Sequence, residues 1–230
     1  MEKILVDSGY LGVILTLFSY LIGIKLNRRF KYTILNPILI GSALIIAILM
    51  MLGINYSVYK ESTENLSILL TPATICLAVP MYKQFEILKK YKGAVFISVM
   101  VGSICALLTI ILMAGLLGFD LTTIKSLMPK SITTAIAIGV SEEIGGIPTI
   151  TIMAVVLTGI LGAIITEKVC KIFRIKNPVA VGLAHGTSAH AIGTSKALEI
   201  GELEGAMSSI AIIMAGLITV FIIPIIMNFL

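Results

Sequence analysis

The sequence predicts an all-α polytopic membrane protein with about six to eight transmembrane segments, two of them interrupted or re-entrant and placed in inverted repeats. Three observations predict it. Of 230 residues, 58% are hydrophobic and 13% charged, with a mean hydropathy of +1.08. A soluble domain carries about 25% charged residues, so this chain lacks the polar side chains to cover a surface in water. The apolar residues fall into runs close to the roughly 20 residues that cross a bilayer. The basic residues gather in three short clusters between those runs, as they do in cytoplasmic loops.

The same counts exclude other classes. A net charge of +5 would suit nucleic acid in a soluble protein. Here the cations sit in short loops between apolar runs, so the expected partner is the lipid bilayer and not nucleic acid. Cys76, Cys105 and Cys170 lie in or at the ends of apolar runs, are odd in number and have no zinc-site spacing. They read as small packing residues. No nucleophile–base–acid spacing, phosphate loop or metal-ligand cluster stands out, so the chain is not expected to be an enzyme or to carry a cofactor or metal.

In order, the apolar segments are about 4–24, 33–53, 64–82, 93–118, 126–140, 148–169, 178–195 and 205–229. The first has no basic n-region and no A-x-A cleavage site. With Lys25, Arg28, Arg29 and Lys31 after it, it reads as a retained helix in the cell membrane with its N-terminus outside. The second and third follow across the linker 54–64. The fourth leads from the basic cluster 82–92 to 119–125. Segments 126–140 and 178–195 are short and polar. If 126–140 spanned, the basic cluster 168–176 would fall outside, against the rule. If it enters from outside and turns back, 148–169 runs inward and 168–176 lies inside. By the same logic 178–195 dips in from the cytoplasm and returns, and 205–229 ends outside.

A repeat supports this. Pro72, Pro129 and Gly186 are 57 residues apart, and so are Gly102, Gly159 and Gly216. Thr74, Ser131 and Ser188 share that register, as do Cys76, Thr133 and His190. Each unit is a short polar-tipped segment followed by a long helix with a central Gly. The charges give 126–172 and 183–229 opposite orientations, the plan of secondary transporters whose site lies where the interruptions meet. The expected divisions are 1–60 (N-terminal helices, candidate scaffold), 61–125 (first repeat-like unit), 126–177 (second unit) and 178–230 (third, inverted unit).

The polar tips carry the candidate chemistry. Ser131, Thr133 and Thr134 put three hydroxyls on an apolar stretch, where they either bond back to their own helix or line a cavity. Lys130 is either a snorkelling cation or a steering charge for an anion. Glu142 and Glu143, before the Gly145-Gly146 turn, are either solvated or protonatable coupling groups. The second tip holds both histidines, His185 and His190, and two Gly-Thr-Ser triplets, Gly186-Thr187-Ser188 and Gly193-Thr194-Ser195, before Lys196. Glycine lets backbone approach a ligand, and the N–H groups at a broken helix's N-terminus bind carboxylate or phosphate. His190 either holds an anion or passes a proton; the bland alternative is close helix packing around a hydrogen-bonded core histidine. His185 reads as a residue of the cytoplasmic mouth. Glu199, Glu202 and Glu204 read as a solvated connector, with a gate before the last helix as the alternative. The candidate substrate-binding residues are thus Ser131, Thr133, Thr134, Gly186, Thr187, Ser188, His190, Gly193 and Thr194. The coupling or gating candidates are Lys130, Glu142, Glu143 and Lys196.

Over its whole length the chain resembles the LrgB/CidB family. The resemblance is strongest in Leu70-Thr71-Pro72-Ala73-Thr74 with Val79-Pro80, in Pro129-Lys130-Ser131 with Thr133-Thr134, and in Ile144-Gly145-Gly146-Ile147-Pro148. It continues through Gly186 to Thr194, then Gly201-Glu202 and Glu204-Gly205-Ala206. It implies two functions: antiholin-like control of murein hydrolase export and autolysis with a small LrgA/CidA-type membrane partner, or transport of small carboxylates such as glycolate, glycerate or pyruvate. Interrupted segments entering from opposite sides suit the carrier by alternating access, with H⁺ or Na⁺ as the coupling ion. A homodimer is expected by analogy with carriers that pair a mobile with a fixed part.

Overall fold

The computed structural model describes residues 10–30, 37–69, 72, 75, 76, 78–83 and 85–229. The expectations for the N-terminus, for Lys31, and for Leu70, Thr71, Ala73 and Thr74 at the first polar tip lie outside the described residues. Every regular element among the described residues is helical. Among the described residues, four helices are long and apolar enough to cross a membrane: Leu11–Phe30, Lys89–Leu116 (within a longer helix), Pro148–Ile172 and Glu202–Met227. Pro37–Leu52 is a shorter apolar helix. The chain divides into two compact units, Met1–Cys76 and Leu77–Leu230.

In the first unit, α1 (Leu11–Phe30), α2 (Pro37–Leu52), α3 (Tyr56–Ser62) and α4 (Glu64–Ile68) follow one another. Lipid tails are as apolar as leucine, so small residues that let backbones approach are what draw such helices together. A Cβ at Gly12 would collide with the Ser62 side chain, and one at Gly41 would touch the Tyr20 backbone at 3.4 Å. Thr16 donates to the Gly12 carbonyl (2.7 Å) and shares a 2.7 Å hydrogen bond with the Tyr59 hydroxyl. The stretch expected to be a plain linker, 54–64, holds α3, whose Asn55 side chain accepts from Ser57 N.

The second unit holds α5 (Ala78–Lys83), α6 (Phe85–Leu116), α7 (Leu121–Leu127), a 3-10 turn (Met128–Ser131), α8 (Thr134–Glu143), α9 (Pro148–Ile172), α10 (Pro178–Ile200) and α11 (Glu202–Met227). Its core fixes the helix directions. Val95 and Val99, early in α6, pack with Ala206 to Ala211 early in α11, and Leu107 and Ala114 pack with Ile223 near its end. So α6 and α11 run parallel. Along α9, Gly159 meets His190, Gly162 meets Ser188, and Thr166 bonds Ser188 (2.7 Å). Rising numbers on α9 thus meet falling numbers on α10, and α9 runs opposite to the first arm of α10. In turn, Gly182 lies against Glu204 and Met207, and Gly186 against Ser208 and Ala211, so that arm is parallel to α11.

Both short polar segments are interrupted, and both run longer than their apolar residues suggested. The first spans Leu121 to Glu143. Asp120 caps α7 through the Thr123 amide (3.2 Å) and hydroxyl (2.5 Å), which draws the expected linker 119–125 into helix. The second runs from Pro178 to Ile200 and is broken at His190.

Candidate functional site

The first break is written into the backbone. Pro129 has no N–H, and the chain leaves the 3-10 turn at Ile132 (φ −126°, ψ 179°) and Thr133 (φ −64°, ψ 144°) before α8 starts at Thr134. The Thr133 side chain makes no cap hydrogen bond. The first-turn amides of α8 therefore face the break with the positive end of the helix dipole. Ser126 Oγ accepts from Ile147 N (2.7 Å), and Thr151 donates to the Ser126 carbonyl and bonds Ser141 (2.7 Å). These bonds clamp the two arms to the start of α9. The tip, with Ile132 1% exposed against Val155, lies deeper along the same helix.

The second break is sharper. His190 has φ 39° and ψ −124°, a conformation in which a side chain is strained. Beyond it the chain turns back. Gly193 lies against the carbonyl of His185, eight residues earlier, and Val181 and Ile200 line one cleft although nineteen residues apart. A straight helix would separate that second pair by about 28 Å. Thus α10 is a hairpin of two helical arms with His190 at its apex, level with Gly159, the midpoint of α9. The arm after the break begins a second helix N-terminus at that depth.

The two apices approach one another. The ring of His190 is acted on by the Lys130 ammonium and the Val155 backbone, and Val155 also packs on Ile132. His190 is 4% exposed, and its Nε2 has no hydrogen-bond partner among the described residues. Lys130 donates to Ser131 Oγ (3.0 Å). A cation, a hydroxyl, an unengaged imidazole nitrogen and two helix N-termini therefore share the middle of the unit. That set favours an anion.

The remaining candidates take different places. Thr133 and Thr134 are half-buried at the first break. Gly186 is a packing residue against Ser208 and Ala211, and Gly193 closes the hairpin. The Thr187 methyl fills the space beside Gly102 of α6, where a Cβ would lie 2.8 Å away. The Ser188 hydroxyl is engaged by Thr166 and the Ala184 carbonyl (2.6 Å), and Thr194 by Ser208 (2.7 Å) and the His190 carbonyl (3.1 Å). Glu142 and Glu143 are exposed at the far end of α8. Lys196 pairs with Glu199 (3.0 Å) on the surface. Thr166 and Ser208 escaped sequence reading; a hydroxyl inside an otherwise apolar helix was their one signal.

The 57-residue register reappears as geometry. Thr133 and His190, equivalent in the repeat, are the residues at the two breaks. The equivalent glycines each receive a tip side chain: Gly102 takes Thr187, Gly159 takes His190 (a Cβ would lie 2.7 Å from Cε1), and Gly216 takes Ile136 (3.1 Å). Any larger residue at these places would meet the tips.

The family described as LrgB-like matches residues 16–229. Proteins named "Antiholin-like protein LrgB" from Bacillus cereus (strain B4264) and Bacillus anthracis (strain CDC 684 / NRRL 3495) are each 38% identical over 223 residues, covering 96% of this chain and 97% of theirs. No solved structure matches.

Proposed function

The chain belongs to the LrgB-like family of multi-pass membrane proteins, and on that premise we propose that it is a secondary carrier of a small monocarboxylate anion. One observation carries the reading: two interrupted segments enter from opposite ends of α9, and their breaks converge on Val155, which packs on Ile132 beside one break and bonds the His190 ring at the other. A pore that works by lesion needs no such paired breaks. A carrier needs a central site reachable from either side. Lys130 supplies the charge, Ser131 and Thr133 supply hydroxyls, the amides after each break hold the carboxylate oxygens, and His190 Nε2 bonds the remaining polar group of a substrate such as glycolate, glycerate or pyruvate. The coupling ion is H⁺ or Na⁺.

The relatives' names favour a second reading more directly than the first. They are called antiholin-like, which names no transported substrate. In that reading the chain controls murein hydrolase export with an LrgA/CidA-type partner. The purified chain in liposomes separates the two. The carrier gives saturable uptake of glycolate or pyruvate and keeps large dyes inside. Dye release, or no saturable uptake with or without the small partner, removes the carrier reading.

A further inference from the structure

We propose a second anion site, separate from the apices: a cleft at the basic end of α9 that holds the phosphodiester headgroup of an anionic, hydroxyl-bearing phospholipid. The cleft has a volume of about 340 Å³ and lies between the end of α9 and both arms of α10. Lys171, Arg174 and Lys176 line it, with a single carboxylate, Glu167, which Lys171 already binds at 2.7 Å. Among the described residues Arg174 and Lys176 form no ion pair. The lining therefore carries an excess of positive charge.

A second observation concerns the floor. His185 lines the same cleft, is 0% exposed, and its Nε2 has no hydrogen-bond partner among the described residues. Its Nδ1 lies 2.9 Å from the Val181 carbonyl, which can only accept, so Nδ1 carries the hydrogen. With the hydrogen on Nδ1, the lone pair of Nε2 is the ring's open acceptor position. A fully deprotonated anion, or a phosphodiester by itself, has nothing to donate to it. An anion that also bears a hydroxyl satisfies both ends: cations take the phosphate, and His185 takes the hydroxyl. An unpaired buried nitrogen otherwise costs desolvation with no return.

The surroundings choose a lipid over a soluble phosphate. Cys170 and Val181 make the walls apolar, and Ile175 and Ile200 stand exposed at the rim beside the cations. Apolar rim and cations together, at the end of a spanning helix, match the boundary between acyl chains and headgroups. Arg174 adds weight. It ends α9 in the left-handed region (φ 54°), a position glycine takes most easily, with Ile175 N bonding the Cys170 carbonyl (2.8 Å). That turn brings Arg174 to the lining of the cleft.

The test uses the full chain in nanodiscs holding equal phosphatidylglycerol and phosphatidylcholine, extracted gently and weighed by native mass spectrometry. Phosphatidylglycerol is retained over phosphatidylcholine, and the variant Lys171→Gln/Arg174→Gln/Lys176→Gln lowers that preference about tenfold. Against phosphatidylethanol, the same diester without headgroup hydroxyls, the wild type prefers phosphatidylglycerol, and His185→Phe removes that preference. Equal retention of the neutral lipid, or an unchanged triple variant, overturns the site. Glycerol phosphate binding from solution as tightly as the lipid overturns the lipid assignment. Neither result bears on the carrier reading.

Discussion

His190 holds a backbone conformation that side chains avoid, and such conformations cost about 1–3 kcal/mol and persist only where the surroundings enforce them. Here Gly159 makes room for the ring, and the hairpin arms are pinned to α9 and α11. A turn that served packing alone would be better made by glycine. His190→Gly is therefore expected to leave the thermal unfolding temperature in detergent at or above the wild-type value, while saturable uptake falls severalfold for the hydrogen bond lost. A lower unfolding temperature with unchanged uptake would make His190 a structural residue. Lys130→Gln leaves a polar side chain one bond shorter beside Ser131 and removes the charge. The expected result is a raised KM for the anion with little change in stability. These two residues were legible in sequence because ionisable groups at membrane depth are rare. Their pairing was not, because sequence spacing says nothing of which apex reaches which. Ser188 and Thr194 looked equivalent to Ser131, yet their hydroxyls are engaged by Thr166 and Ser208.

The paired breaks make α7–α8 and α10 into hairpins, and glycines let them sit against full-length helices. Gly162 is the sharpest case: a Cβ there would lie 2.7 Å from the Ser188 carbonyl, a backbone atom with no room to retreat. Gly162→Ala is expected to cost about 1–3 kcal/mol, read as a lowered midpoint in a denaturation titration in mixed micelles. Gly139, with nothing within 4 Å of its Cβ position, is the control, where alanine is neutral or stabilising. The interruptions themselves were visible beforehand as polar, proline- and glycine-bearing stretches too short to span. The start of the first was hidden by capping, as Asp120 extends it through Thr123; the second starts at Pro178, as read, with Asn177 capping Val179 N (2.9 Å), and runs on past the apolar residues to Ile200. A side-chain cap is a local bond that a hydropathy window averages away.

Across the second unit, α6 and α11 run one way and α9 the other, with a hairpin entering from each end. This arrangement places the end of α9 with the start of α6, and the 116–121 connection opposite them. Cysteines replacing Lys90 and Lys171 are expected to react with an impermeant reagent from one face, and a cysteine replacing Phe119 from the other; labelling of Lys90→Cys and Lys171→Cys from opposite faces would break the inverted topology. Charge clustering already implied this direction through the two basic loops of this unit, 82–92 and 168–176, because long helices must cross and short loops hold their cations on one side. The approach of the two apices is the claim everything else depends on. It is tested in a chain freed of Cys76, Cys105 and Cys170, carrying Ser131→Cys and reconstituted in liposomes, by the rate at which a small thiol reagent modifies it with and without glycolate or pyruvate. One of these anions is expected to slow modification of Ser131→Cys severalfold and to leave Phe119→Cys untouched. An unchanged rate at Ser131→Cys, in vesicles that still take up the anion, would place the site elsewhere and contradict it.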